Sequence, residues 1–167
     1  MRTETTTRTL YKFEELPEDV REKAIENLYD INVNYGWWTP VYEDAEQIGL
    51  KITGFDIDRG AHCDGEALIS LPEIAEEIIK IHGNKTETYK TAKSFLNDLE
   101  ALTGKYEDIE DCPEDEIDEL EQEFLKSLLD DYRIILQKEY EYLTSEAAII
   151  ETIKANDYEF DGNGNLA

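Results

Sequence analysis

Apolar residues recur at steps of three or four along most of the chain, which is the spacing of amphipathic helices. Proline or a hydroxyl residue stands at or near the start of these segments, where it suits a helix N-terminus. Gly83 and Gly104 follow two of them and are typical helix stops. The pattern predicts six helices, over residues 17–34, 40–49, 72–83, 86–103, 113–143 and 145–156.

The fifth predicted helix is the longest element of the chain. Its apolar positions form a single stripe, made of Ile117, Leu120, Phe124, Leu128, Tyr132 and Ile135. At a rise of 1.5 Å per residue, a helix of roughly 30 residues is about 45 Å long. A helix of this length needs a long partner or a hairpin to cover its apolar stripe.

Strands are predicted where β-forming residues alternate with polar ones, over 7–13 and 51–58. Residues 66–71 are the predicted antiparallel partner of the second strand, and 158–160 are a candidate edge strand. The elements predict an α+β fold: a small antiparallel sheet of about three strands packed with helices, plus a long acidic C-terminal helix. The chain length is consistent with a single domain over 1–167.

Two adjacent tryptophans, Trp37 and Trp38, lie between the first two predicted helices. Adjacent tryptophans can form a binding platform, but aromatic side chains bury a large area and usually belong to a core. We therefore expect at least one of the two to pack in the core between these helices.

The charge of the chain is strongly negative. It has 41 acidic and 16 basic residues, a formal net charge of −25, with 40% hydrophobic residues. The apolar content is that of a folded protein and not of a disordered acidic tail. The charge opposes direct binding to nucleic acid or to an anionic membrane, and it favours basic partners such as proteins that themselves bind nucleic acid.

The acids are concentrated in residues 107–123, EDIEDCPEDEIDELEQE, which we call the acidic segment. It holds eleven carboxylates and no Lys or Arg. One interpretation is a solvated helix face whose first turn is acidic, as the helix dipole favours. The other is a surface that imitates the phosphates of a nucleic acid, since carboxylates four residues apart on a helix stand about 6 Å apart along its axis. The predicted partner-binding residues are Glu107, Asp108, Glu110, Asp111, Glu114, Asp115, Asp118, Glu119 and Glu121.

Candidate chemistry elsewhere is sparse. His62, Cys63, Asp64 and Glu66 are close in sequence, but zinc sites need paired ligand spacings that do not occur here. Cys63 lacks a visible orienting partner for a nucleophile. No phosphate-binding glycine motif is present. We therefore predict no catalytic residue, no metal and no cofactor, and a protein that is not an enzyme.

The last residues, from Asp161, copy the start of a calcium loop, DGNGN, but a bidentate Glu at the twelfth position does not follow. Asn-Gly is a strong turn signal, so a turn is predicted. Cys63 and Cys112 do not form a disulfide framework, no apolar segment follows Met1, and no apolar run has the length of a membrane span. These features predict a cytoplasmic protein with reduced thiols.

Two segments carry a resemblance to a known family. Residues 10–49, LYKFEELPEDVREKAIENLYDINVNYGWWTPVYEDAEQIG, resemble the N-terminal signature of acidic proteins common in phages, prophages and other mobile elements. Residues 138–160, KEYEYLTSEAAIIETIKANDYEF, resemble their C-terminal signature. Members are mostly called hypothetical and sometimes antitoxin of a toxin–antitoxin stability system. Their SQGDGA loop reads AHCDGEA here, so that only Asp64, Gly65 and Ala67 fit.

The resemblance implies a mobile-element origin, and together with the charge it suggests two functions. The first is a phage or mobile-element inhibitor of a host defence nuclease, anti-CRISPR or antirestriction, which mimics nucleic acid on a basic groove. The alternative is an antitoxin-like module that neutralises a basic toxin. A small enzyme acting through the Asp64 loop is a third hypothesis, for which the residues offer little.

Overall fold

The computed structural model describes the backbone of all 167 residues and every side chain except that of Ile109. The predicted α+β class is confirmed, with six α-helices and two separate antiparallel sheets of two strands each. The chain forms two compact units. One consists of Met1–Trp37 and Glu139–Ala167, and the other of Trp38–Lys138. The single-domain prediction stays a prediction.

In the first unit, strand β1 (Tyr11–Lys12) pairs antiparallel with β4 (Glu159–Phe160). Helices α1 (Glu18–Asn27) and α6 (Glu146–Ala155) pack on each other. Their buried residues form one core: Phe13, Leu16, Ala24, Ile149, Ile153 and Phe160.

The first predicted strand, 7–13, is much shorter in the structure because β4 offers only two residues for pairing. The first predicted helix is shorter as well: it ends at Asn27 instead of residue 34. Asn32 lies in the turns that follow the helix. Its buried side chain donates to the Leu143 carbonyl at 2.9 Å and accepts from the Thr152 hydroxyl at 2.7 Å. These two bonds to residues distant in the sequence hold the turns that replace the last part of the predicted helix.

The tryptophan prediction is wrong in its strict form, because neither residue belongs to the buried core. Trp37 is half-buried and its ring lies 5.6 Å from that of Tyr140. Trp38 remains 36% exposed, and its ring centroid lies 5.9 Å from that of Phe55 at an interplanar angle of 66°. The surrounding helix cores are filled by aliphatic residues such as Ala45 and Ile48.

The second unit contains α2 (Thr39–Gln47) and a hairpin of β2 (Leu50–Asp56) and β3 (His62–Ala67). The predicted partner strand, 66–71, is therefore displaced by four residues. Gly65 sets this register, because a Cβ there would lie 2.8 Å from the Lys51 carbonyl oxygen and 2.9 Å from Leu129 Cδ2. Glycine is the residue that permits such a close approach.

Three helices complete the second unit: α3 (Leu71–Ile81), α4 (Glu87–Thr103) and α5 (Glu114–Leu143). Ser70 and Glu73 form a capping box at the start of α3, and Thr86 caps α4. These caps are why the starts of both helices are predictable. The first 25 residues of α5, up to Lys138, lie in this unit, and its last five lie in the other.

The predicted long helix, 113–143, is confirmed with 30 residues. Its buried residues follow at a constant interval of four: Phe124, Leu128, Tyr132 and Leu136. The predicted stripe ended at Ile135, which is 37% exposed. Because the true interval is four at every step, the stripe continues at Leu136.

The position of this stripe is testable by a matched pair of truncations. We expect Leu136→Ala to lower the free energy of unfolding by about 3 kcal/mol, because it leaves a cavity in a packed core. Ile135→Ala, next to it on the exposed side, should change it by less than about 0.5 kcal/mol. Urea denaturation of both variants measures this. Equal losses would show that Ile135 is as buried as Leu136, which would contradict the orientation of α5 about its axis.

Candidate partner-binding surface

The predicted partner-binding residues lie on a surface-exposed turn and on the first turns of α5. A short 3₁₀ helix, Ile109–Asp111, precedes Pro113, and α5 then starts with three acids. Negative charge at a helix N-terminus is stabilised by the partial positive charge of the free backbone N–H groups. Eight of the nine predicted side chains are exposed: Glu107, Asp108, Glu110, Asp111, Glu114, Asp115, Asp118 and Glu119.

The ninth residue, Glu121, is only half-buried on the flank of the helix. Burial raises the pKa of its carboxyl, and the charge of Asp118 one turn earlier raises it further. Like charges three or four residues apart on a helix repel each other. The raised pKa of Glu121 thus reflects its burial first and the repulsion from Asp118 second.

The charges of the acidic segment are uncompensated. Among the side chains that the structure describes, none of its carboxylates lies within 4.0 Å of a Lys, Arg or His nitrogen. Ion pairs occur instead elsewhere, such as Lys90 with Glu87 and Arg133 with Asp130. The negative field of the segment is therefore directed to solvent.

Packing against α4 holds this surface in place. Phe95 of α4 stacks on Phe124 of α5, with ring centroids 4.4 Å apart and planes only 6° from parallel. The Thr91 hydroxyl, one turn from Phe95 in α4, donates to the carboxylate of Asp131, about two turns from Phe124 in α5. Cys112, just before the helix, is buried. The acidic turns are consequently attached to a rigid element.

A groove with carboxylates on both sides runs between α4 and α5. One cavity of about 380 Å³ is lined by residues that include Asp98, Lys105, Glu116, Glu119 and Glu123. A second, of about 390 Å³, shares Asp98, Leu120 and Glu123 with it and extends to Lys90. We call the carboxylates Asp98, Glu116, Glu119 and Glu123 the acidic groove.

The partner-binding residues predicted from the sequence include Glu119 but not Asp98, Glu116 and Glu123. The spacing of Glu116, Glu119 and Glu123, three and then four residues, is a signal for a shared helix face that was available. Asp98 lies on another helix, and no local pattern connects it to the acidic segment. Together, the four carboxylates of the acidic groove can accept hydrogen bonds from several Lys or Arg side chains.

The first residues of β3 have a different chemistry. His62 Nε2 lies 3.2 Å from Asp64 Oδ2, and both side chains are exposed. Burial, and then the charge of Asp64, raises the pKa of the Cys63 thiol to about 11. A thiol with this pKa is protonated at neutral pH and is a poor nucleophile. In the described part of the chain, no three His, Cys, Asp or Glu side chains are grouped as metal ligands.

The calcium-like sequence from Asp161 forms a turn, as predicted. One carboxylate oxygen of Asp161 accepts from the backbone N–H groups of Asn163 at 2.9 Å and Asn165 at 3.0 Å. These backbone bonds lower the pKa of Asp161. The carboxylate is thus engaged in holding the turn.

Comparison of the chain with family models, with curated proteins and with solved structures finds no match. Of the helices described here, none combines the length and the apolar character needed to cross a membrane.

The repulsion at Glu121 can be measured by NMR titration of its carboxyl group. We expect a pKa above the ordinary glutamate value, and a lower pKa in Asp118→Asn. Because the folded-state pKa is raised, ionisation of Glu121 costs stability once the pH exceeds its unfolded value. Glu121→Gln should therefore stabilise the protein at pH 7 and not at pH 3. Asp111→Asn, with the same change in net charge, is the control. An equal effect of Asp111→Asn would show that only net charge matters.

The raised pKa of Cys63 predicts slow alkylation. In a Cys112→Ser variant, iodoacetamide at pH 8 should react about 100-fold more slowly than with an ordinary cysteine, because so little thiolate is present. Unfolding in urea should restore the ordinary rate. Fast reaction of the folded protein would show that burial in the hairpin does not raise the pKa of Cys63.

Proposed function

We propose that this protein is a phage or mobile-element inhibitor of a host defence nuclease, and that it acts as an acidic nucleic-acid mimic on a basic groove. In this proposal the partner is a nucleic-acid-binding protein, a Cas effector or a restriction enzyme, in the cytoplasm of a bacterial host. The protein blocks by occupying the groove, and therefore it needs neither a catalytic residue nor a cofactor.

The observation that carries the proposal is the charge density along the start of α5. Its first ten residues, 114–123, contain seven carboxylates. Ten helical residues span about 15 Å, which gives one charge per roughly 2 Å of axis. Duplex DNA carries one charge per about 1.7 Å of axis. A groove built for DNA thus meets a similar linear density of negative charge.

Two further features support mimicry over mere solubility. Among the described side chains, no Lys, Arg or His nitrogen lies within 4.0 Å of these carboxylates, so that a basic partner has no ion pair to displace. The helix that carries them is fixed by the Phe95–Phe124 stack. A rigid surface loses less conformational entropy on binding than a flexible acidic tail would.

The nuclease is to be identified by capture from host lysate, and the inhibition is to be measured directly on that nuclease. Wild type should inhibit cleavage, should compete with DNA duplex for the nuclease, and should not bind the duplex itself. Capture of a small basic toxin in place of a nuclease would favour the antitoxin-like alternative. Capture of neither would contradict both proposals.

The decisive variant reverses one block of charges: Asp115, Asp118, Glu119 and Glu123 to Lys. All four side chains are exposed, so that the fold should survive. Half-buried Glu121 is left unchanged for the same reason. Affinity for the nuclease should fall by at least about 100-fold, since several exposed ion pairs are replaced by repulsion. Surface plasmon resonance at two salt concentrations provides the measurement.

The matched control reverses four exposed acids elsewhere: Glu22, Glu26, Glu43 and Glu151. It changes the net charge by the same amount and should lower affinity far less, because these residues lie outside the acidic segment. Equal losses in both blocks would show that net charge alone drives association. No loss in either would show that the acidic segment is only a solvated face.

A further inference from the structure

The residues before β1 form an exposed segment that belongs to no helix or strand. We call residues 2–10, RTETTTRTL, the threonine segment, because five of its nine residues are threonine. All nine side chains are exposed. Residues 2–9 make no backbone hydrogen bond and no ion pair within the part of the chain that the structure describes. Their backbone N–H and C=O groups are therefore open to pairing with another strand.

The threonine segment continues directly into an existing strand. The next two residues, Tyr11 and Lys12, form β1, and β4 pairs with these two alone. Threonine is β-branched and has a high β propensity, and the sequence pattern predicts a strand from residue 7 onward. Because β1 already holds the backbone in a sheet at residue 11, a strand that pairs with the segment extends a sheet and does not have to form an isolated one, which would be marginal in water.

Side chains alternate between the two faces of a strand, and this alternation sorts the residues of the segment. The odd-numbered residues, which include four of the threonines, share a face with Tyr11, and Tyr11 packs against the core of the first unit. The even-numbered residues share a face with Lys12, which forms ion pairs with Asp157 at 2.8 Å and Glu159 at 3.3 Å. All charged residues of the segment are even-numbered and share this second face: Arg2, Glu4 and Arg8.

The order of these residues makes the threonine segment complementary to a second copy of itself. When two copies run antiparallel with Thr6 opposite Thr6, Glu4 of each copy faces Arg8 of the other, and the remaining threonines also face threonines. Opposite charges and Thr–Thr pairs directly across two antiparallel strands are both stabilising. A parallel pairing in register would place Glu4 opposite Glu4 and Arg8 opposite Arg8, which is destabilising. The sequence therefore favours one orientation and one register.

The local charge also suits this segment to contact between two copies. Residues 2–12 contain three basic residues and one acidic residue, whereas the whole chain has a formal net charge of −25. Two such chains repel each other, and they approach with least repulsion where the local charge is not acidic. Within the single chain Arg8 interacts weakly: its charge is the least of the causes that lower the pKa of Asp161.

We propose that the threonine segment is a self-association element, and that two copies of the protein join through an antiparallel pairing of residues 2–10 centred on Thr6. Each copy supplies the same strand, so that the contact is isologous and contains two equivalent Glu4–Arg8 pairs. A dimer of this kind carries two acidic segments. The proposal does not depend on the nuclease hypothesis, because it concerns residues outside the acidic segment.

Sedimentation velocity of the full chain over a range of concentrations tests the proposal, with two single charge reversals, Glu4→Arg and Arg8→Glu. Each reversal puts like charges opposite each other in both pairs of the dimer. Each should therefore raise the Kd of the dimer at least about tenfold. Both side chains are exposed and lie outside the helices and strands, so that the rest of the fold should be unaffected.

Mixing the two single variants tests the register itself. In an equimolar mixture, the arginines of one variant face the glutamates of the other in both pairs, so that a heterodimer should form although neither variant associates well alone. The double variant Glu4→Arg, Arg8→Glu exchanges the two charges within one chain and should dimerise like the wild type. The Cα and Cβ chemical shifts of the five threonines should move toward strand values as the concentration of wild type increases.

The control is Glu22→Arg, an exposed residue of α1 with the same change in net charge as Glu4→Arg. It should leave the Kd unchanged or lower it, because it reduces the repulsion between two acidic chains. A lower Kd for Glu4→Arg would show that the segment binds an acidic surface of the second copy, and would overturn the strand pairing. A wild type that stays monomeric at every concentration, a mixture of the single variants that does not associate, or association without strand shifts in the threonines would overturn it as well.

Discussion

The apolar stripe of α5 has to offset the repulsion of the carboxylates that the same helix carries. Each buried residue from Phe124 to Leu136 follows the last at an interval of four, and the stripe starts only after the most acidic turns have ended. The Phe95–Phe124 stack is the first full contact of this stripe. Without it, only the half-buried Ile117 and Leu120 would oppose the like charges of turns one to three, and like charges at helical spacing favour unfolding of the turn.

The acidic segment therefore depends on the core of the second unit for its ordered shape. A flexible run of acids would become ordered only when a partner bound it, and the conformational entropy lost at that moment would weaken binding. Here folding orders the helix in advance, through apolar burial on the opposite side. Ile117 and Leu120, half-buried between the acidic turns, extend this support toward the N-terminus. The start of α5 is thus a preorganised charged surface.

Local signals in the sequence were sufficient to predict the helices. Tertiary contacts determined the features that the sequence did not predict. Capping residues and prolines marked helix starts, and periodicity marked the long helix, because both act within a few residues. The hairpin register depended on how close Gly65 comes to Lys51 and Leu129. The turns that follow α1 are held by the bonds of Asn32 to Leu143 and Thr152. Those partners are distant in sequence. For the same reason, the exposed acids of the candidate site were predictable and Asp98, on a second helix, was not.

The density of the charges matters more for recognition than their total. At physiological ionic strength the Debye length is about 8 Å, and exposed charges farther apart than this are largely screened from each other. The first ten residues of α5 span about 15 Å, so most of their carboxylates lie within a screening length of several others. A basic groove would therefore face these carboxylates as one continuous negative surface. The acids outside these ten residues, although they make up most of the 41, add to solubility but contribute little to that local field.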